Sequence, residues 1–295
     1  MANLKEVRTR IASVSSTQQI TSAMKMVSAA KFRRAQNAII GMRPYADQLS
    51  EIVDDIDTGG DVLTPYHAVR PLRSVLLVVI TSNKGLCGAF NSNVIKQANA
   101  RIDHYRQQLP ADGTLHVMSI GKKSSEMLGR RKDMTLSAYD DLLDGTTFDR
   151  VAELADSVMK QFEDKKIDLV EIVYNRFKNS LVQILSTEQW LPVVPKDSKD
   201  SKDLKDTKTN DYIYEPSKEE IVRSMVPLTL RSNFYRMILD SLASEHGARM
   251  NAMQKATDNA TELLKDLRLT YNKARQAAIT NEIIEIVSGS EALKG

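Results

Sequence analysis

The chain holds a single cysteine, Cys87, among 295 residues. One thiol excludes an intrachain disulfide and fits a reducing compartment. Histidine is almost as scarce, with His67, His104, His116 and His246 scattered along the chain. No Cys/His cluster with metal-ligand spacing is present, and no histidine lies near Cys87 in sequence to activate it. Cys87 therefore reads as a small buried hydrophobe. No apolar run approaches the roughly eighteen residues of a membrane-spanning helix. The opening MANLKEVRTR contains no apolar signal-peptide core, and a short transit peptide is disfavoured because Leu4 already belongs to a helical pattern. Proline is missing before Pro44 and after Pro227, and glycine is missing between Gly247 and Gly289. Two long stretches thus lack every strong helix breaker.

Those stretches carry a helical period. Near the C-terminus, Met253, Thr257, Ala260, Leu264, Leu267, Tyr271, Ala274 and Ala278 recur at steps of four and three. The mean of 3.5 is the repeat of a left-handed coiled-coil seam. Near the N-terminus, Leu4, Val7, Ile11 and Val14 follow the same step, and a second register is predicted through Ile20, Met24 and Val27. A helix over residues 2–55 would extend roughly 80 Å, and one over 227–287 roughly 90 Å. Each seam needs a partner, and each is the other's only comparable candidate. The ends are predicted to pair as an antiparallel coiled coil. Its alanine and threonine permit close approach but bury little area per turn.

The middle reads differently. Residues 72–81 (LRSVLLVVIT) form a near-continuous apolar run, as in a strand covered on both faces. Residues 82–88 (SNKGLCG) make a glycine-punctuated turn, and a helix follows over 89–109. The turn's GxxG is read as close packing of helix on strand. A strand over 114–120 and a short helix over 122–128 come next. An amphipathic helix over 148–165 would present Val151, Leu154, Ala155, Val158 and Phe162 to a core. Strands are predicted over 167–176 and from 181 toward Trp190, joined by a tight turn at Lys178 and Asn179. Strand–helix alternation points to a largely parallel sheet. The predicted fold class is α/β plus long coiled coil, with a Rossmann-like α/β domain inserted between the terminal helices. The predicted boundaries are 1–58, 70–216 and 217–295.

Within 196–208, KDSKDSKDLKDTK repeats Lys-Asp with nothing to bury, and 196–211 is predicted to be a mobile solvated loop. After it, YIYEP reads as a short strand before a helix starting at Ser217, with Glu220 at the capping-box position. Charge is unevenly spread. Residues 1–43 hold Lys5, Arg8, Arg10, Lys25, Lys31, Arg33, Arg34 and Arg43 against Glu6 alone. A helix this basic seeks an acidic surface.

Catalytic patterns fail on inspection. Gly121-Lys122-Lys123-Ser124 is the tail of a phosphate loop in outline only. His116 stands where the Walker pattern needs its first glycine, and Lys123 where it needs serine or threonine. No G-x-G-x-x-G accompanies the turn at Gly85 and Gly88. Nothing assembles a nucleophile, base and orienting acid, so no catalytic, cofactor-binding or metal residue is assigned.

Three segments together resemble the gamma subunit of F-type ATP synthase. They are ITSAMKMVSAAK with RRAQ (20–36), GLCGAFNS (85–92), and the C-terminal run with ARM, YNKARQAAIT and 282–289. YNRFK (174–178) is also similar. The resemblance spans the chain in order. It implies a rotor shaft: proton-driven rotation of a membrane ring is coupled to ATP synthesis on the beta subunits, and hydrolysis drives the reverse. It implies three alpha and three beta subunits, an epsilon subunit and a c-subunit ring as partners. Magnesium and adenine nucleotides would be held on alpha and beta, and no cofactor on this chain. The chain would be peripheral on the cytoplasmic face of a bacterial inner membrane, with the mitochondrial matrix side as the alternative.

By the same resemblance, Met24, Lys25, Lys84, Arg275 and Gln276 would meet beta-subunit loops. Ile283, Ile284, Ile286 and Val287 would turn in a hydrophobic bearing, and Tyr212 and Tyr214 would lie near the c ring. On the residues alone, Arg275 is equally a solvated flank of the seam, and the isoleucines are its last turns. Two departures stand out. Lys84 replaces the family's usual arginine and loses its bidentate fork, and the Lys-Asp loop is longer than typical. One cysteine also excludes the redox pair of the chloroplast version. Two other classes fit parts of the pattern: a basic coiled-coil nucleic-acid-binding protein using residues 1–43, and a cofactor-binding Rossmann enzyme.

Overall fold

The computed structural model describes residues 4–57, 64–193 and 217–292. The Lys-Asp loop, Tyr212 and Tyr214 lie outside the described residues. The chain divides into two compact units, Met1–Ala29 with Arg249–Gly295, and Ala30–Ala248.

The larger unit is built on one sheet. Its strands are β1 (Ser74–Ile80), β2 (Thr114–Ile120), β3 (Thr135–Ala138), β4 (Leu169–Phe177) and β5 (Gln183–Leu191). They are ordered β3-β2-β1-β4-β5, with β1 to β4 parallel and β5 antiparallel to β4. Central β1 is buried along its whole length, which is why its sequence is apolar without alternation. Leu76, Val78 and Ile80 join one core, while Val75, Leu77 and Val79 join the other. Helices α2 (Phe90–Gln108) and α3 (Lys122–Leu128) cover the second of these faces through Val94, Ala98, Ile102 and Leu128. Helix α4 (Phe148–Glu163) covers the first, with all five predicted core positions buried. Fully burying a valine, leucine or phenylalanine side chain there stabilises by about 1.5–3 kcal/mol. The β4–β5 turn is closed by Asn179, whose side chain accepts from the amides of Leu181 and Val182 at 2.9 and 2.7 Å. Strand β3 has no counterpart in the sequence reading. It is four residues long with only Leu136 partly covered, too short to show a period.

Two long helices begin and end the described chain. Helix α1 runs Leu4–Asp57 through Pro44, and α5 runs Lys218–Ala292 through Pro227. The helix expected from Ser217 and the long helix expected from about Pro227 are one continuous element, with nine helical residues before Pro227. Proline stops donation at its own position but does not forbid helix on either side. The start is capped as expected, with Ser217 Oγ accepting from the Glu220 amide at 3.3 Å. Within the larger unit, α5 buries Val222, Val226, Leu230, Phe234 and Ile238 against the first face of the sheet. Ile39 of α1 packs with Phe177, Leu239 and Ala243 in a separate cluster.

In the smaller unit, the two segments pair by hydrogen bonds. Gln18 Nε2 donates to Thr261 Oγ1 at 2.7 Å, and Thr257 Oγ1 donates to Thr21 Oγ1 at 2.9 Å. As the number rises on one segment it falls on the other, so they run antiparallel. On α5 the seam residues Met253, Ala260, Leu264 and Leu267 are buried, and Thr257, Tyr271, Ala274 and Ala278 half-buried. On α1 the second register is overturned: Ile20 and Val27 are 57% and 58% exposed. The first register instead continues unbroken through Gln18, Thr21, Lys25 and Ser28, all buried or half-buried. Polar side chains occupy this stretch of the seam and conceal it from an apolar pattern.

Candidate functional site

Strand β1 delivers the chain into the turn that carries Lys84. The Ser82 amide donates to Asn91 Oδ1 at 3.0 Å, and Ser82 Oγ donates to the Lys84 carbonyl at 2.7 Å. Cys87 is buried beneath, with Asn91 Nδ2 3.2 Å from its sulfur. Leu86 and Gly88 both take positive φ, 65° and 61°. Nothing lies within 4 Å of a Cβ built on Gly85 or Gly88, so the close-packing reading of GxxG is corrected. Gly88 serves backbone conformation, and the tight contact is elsewhere: a Cβ on Gly121 would fall 2.3 Å from the Thr81 carbonyl oxygen. Asn83 ties this turn to its neighbours, donating to the Asp140 carbonyl at 3.0 Å and accepting from the Lys122 amide at 3.0 Å. The result is a rigid loop that presents Lys84 and Leu86 to solvent. Asn83 and Asn91 entered the sequence reading only as letters of a motif; their spacing alone carries no signal of the bonds they make.

The other expected contact residues lie in the smaller unit. Met24 and Lys25 are half-buried on α1. Arg275 and Gln276 are exposed on α5, as are Ile283, Ile284, Ile286 and Val287, which range from 55% to 70% exposed. Past Ala278 no residue of α5 is covered within this chain, up to the last whose side chain is described, Glu291. Four large aliphatics on an uncovered helix end form an apolar surface that a monomeric protein rarely leaves in water.

The larger unit holds a polar cleft of about 550 Å³, lined by Arg43, Asp47, Tyr174, Arg176, Phe177, Lys178, Ile184, Glu188, Arg236 and Asp240. Arg43 donates to Asp240 at 3.2 Å and to the Phe177 carbonyl at 3.0 Å. Burial pushes the Asp240 carboxyl above the usual carboxylate range, only partly offset by Arg43. Burial and the Glu188 carboxylate, which accepts from Tyr174 at 2.7 Å, push the Tyr174 phenol far up. The lining contains no serine, cysteine or histidine. Among the described residues there is no group of three or more potential metal ligands.

An ATP synthase family model matches residues 3–293. The ATP synthase gamma chain of Flavobacterium psychrophilum is 54% identical over 300 aligned positions, with both chains covered in full. That of Flavobacterium johnsoniae is 53% identical over 297 positions, again in full. This chain belongs to the ATP synthase gamma chain family. A chain of the Euglena gracilis mitochondrial ATP synthase, solved with its OSCP, F1 and c-ring parts, shares the fold. Its TM-score is 0.66 at 22% identity, covering 98% of this chain and 94% of that one. A chain of the Tetrahymena thermophila central stalk and c-ring structure gives a TM-score of 0.58 at 25% identity, covering 80% and 99%. As a member of this family the chain is a rotor shaft and a non-catalytic subunit. Among its relatives is also the ATP synthase gamma chain of Cytophaga hutchinsonii, 49% identical over 297 positions and covering 99% of each chain. Among the described residues no helix is long and apolar enough to cross a membrane.

Proposed function

We propose that this shaft turns inside a ring of three alpha and three beta subunits, with an epsilon subunit and a c-subunit ring at its foot. The paired ends form an antiparallel coiled coil, and the α/β domain is Rossmann-like in strand order. The three segments are 1–58, 70–216 and 217–295. Magnesium and nucleotide are held by the partners, and the complex sits on the cytoplasmic face of a bacterial inner membrane. Proton-driven rotation of the ring turns the shaft, and its asymmetric faces pass each beta subunit through successive states.

The observation that supports this reading is the uncovered end of α5. It presents Arg275 and Gln276 and then Ile279, Ile283, Ile284, Ile286 and Val287 to solvent, with no cover from its own chain. The aliphatics would run in an apolar collar. Arg275 and Gln276, with Met24, Lys25 and Lys84, would meet acidic loops of the beta subunits. Exposed ion pairs contribute about 0–1 kcal/mol each. Contacts that weak suit a bearing, since a tightly held angle would be a trap. Tyr212 and Tyr214 would approach the c ring. The test is purification of the tagged chain in mild detergent with identification of its companions. Recovery of alpha, beta, epsilon and c subunits is expected; a chain that comes out alone, or with nucleic acid, sinks the reading.

A further inference from the structure

The polar cleft of the larger unit plays no part in the shaft reading. Four elements enclose its volume of about 550 Å³: α1, α5 and the paired strands β4 and β5. Its three acids are all engaged. Asp240 accepts from Arg43 at 3.2 Å, Glu188 accepts from Tyr174 at 2.7 Å, and Asp47 faces Arg236 at 3.6 Å. Its four cations are not. Arg43 meets Asp240 and the Phe177 carbonyl through Nη2 alone, which leaves Nε and Nη1 to donate. The Arg236–Asp47 separation is too long for a hydrogen bond, so Arg236 keeps its donors. The side chains of Arg176 and Lys178 make no hydrogen bond or ion pair among the described residues.

Charge is therefore unbalanced on the β4 wall. Arg176 and Lys178 are both exposed and stand two residues apart, roughly 7 Å along the chain. An acid across the ladder would offset them. The residue paired with Arg176 is instead Ile184, and the one paired with Phe177 is Gln183. Two like charges thus lie side by side, over a hollow whose acids are already taken. Burial also holds the Asp240 carboxyl above the usual carboxylate range, which weakens its opposition to an anion. Solvated cations on a convex surface need no further account, but these two share a concave lining with Arg43 and Arg236.

We propose that this cleft is a binding site for a small phosphate-bearing anion. Arg176 and Lys178 hold it from the sheet, and the spare donors of Arg43 and Arg236 hold it from α1 and α5. A tetrahedral, multiply charged oxyanion suits this set. Its several oxygens accept from separate elements at once, guanidinium forks match phosphate edges, and Lys178 supplies a point charge. A lone carboxylate has two oxygens and one charge, too few for cations on three elements. The bound anion ties the end of β4 to both helices and relieves the repulsion between Arg176 and Lys178. The proposal does not depend on the shaft reading, and its failure would leave that reading untouched.

The test uses the isolated full chain in phosphate-free, magnesium-free buffer of low ionic strength, so that no nucleotide-holding neighbour contributes. Calorimetric titration with pyrophosphate is expected to show saturable binding of one equivalent. Arg176→Gln with Lys178→Gln is expected to weaken it about tenfold or more, while thermal unfolding without the anion stays at or above the parental midpoint. Arg33→Gln with Arg34→Gln removes the same charge from exposed positions elsewhere in the larger unit, and is expected to bind as the parent does. Absence of saturable binding would overturn the site. Equal weakening by the two double variants would also overturn it, since only diffuse attraction to a basic chain would then remain. A parallel titration with ADP separates the two sources of phosphate, and either result upholds the site. Affinity no higher than for pyrophosphate identifies the free anion, and a higher affinity identifies a nucleotide.

Discussion

Asp240 is an acid held in a poor solvent for its charge. It is 3% exposed, its nearest cation Arg43 is itself partly in water, and Arg236 and Glu188 share the same cleft. Burial outweighs Arg43, so the folded chain holds the carboxyl proton more tightly than the unfolded chain does. The sign follows directly. Below the ordinary carboxylate range both states are protonated and nothing is lost. As pH rises, the unfolded chain releases the proton first, and stability falls until the folded carboxyl has also ionised. Asp240→Asn keeps an oxygen for Arg43 and removes the ionisation. The variant is expected to match or exceed the parent in urea midpoint at neutral pH, with the difference vanishing in acid. A clearly less stable variant at neutral pH would mean that the Arg43 pair outweighs burial. Glu171 is the contrasting case. It is 6% exposed and accepts from Arg101 Nε and NH2, both at 2.7 Å. Arg101→Ala leaves that buried carboxylate without its cation, and a loss of about 3 kcal/mol is expected in denaturant unfolding; a loss under about 1 kcal/mol would show that water reaches Glu171 readily.

At the scale of the element, legibility followed burial. Strands β1, β2 and β4 and helices α2, α3 and α4 announce themselves because one solvent-averse face, or two, imposes a period on the residues. Helix α3 and strand β2 were placed at their observed limits for that reason. Where the burying residues are polar, the period is invisible. The seam of α1 passes through Gln18, Thr21, Lys25 and Ser28, while the more apolar Ile20, Met26 and Val27 face outward. Reading by hydrophobicity there selects the wrong face. The corrected register makes a test. Ile20→Gln is expected to change the stability of the chain by no more than about 0.5 kcal/mol. Leu264→Ala, on the seam and 5% exposed, is expected to cost about 2 kcal/mol or more. Equal losses in thermal unfolding would mean that Ile20 is packed in solution.

For the molecule as a whole, the question is how a chain without a catalytic group affects catalysis. It acts only by presenting different surfaces to neighbours that hold the chemistry, and such coupling equals the difference in its contact energy between their states. That difference must be small enough for rotation to continue, which is why exposed side chains and not buried ones should carry it. Arg275 meets the requirement: it is exposed and belongs to none of the buried clusters. Arg275→Glu should therefore leave the isolated chain alone, with its unfolding free energy changed by no more than about 0.5 kcal/mol. If Arg275 meets an acidic loop as proposed, the same change in the assembled complex turns attraction into repulsion, and ATP synthesis is expected to drop several-fold, on the order of 1 kcal/mol of lost coupling. Raising the ionic strength should narrow the gap between variant and parent, because both attraction and repulsion at an exposed site are screened. If the variant assembles normally and makes ATP at the parental rate in low salt, Arg275 touches nothing that matters, and the contact surface must be sought on another face of α5.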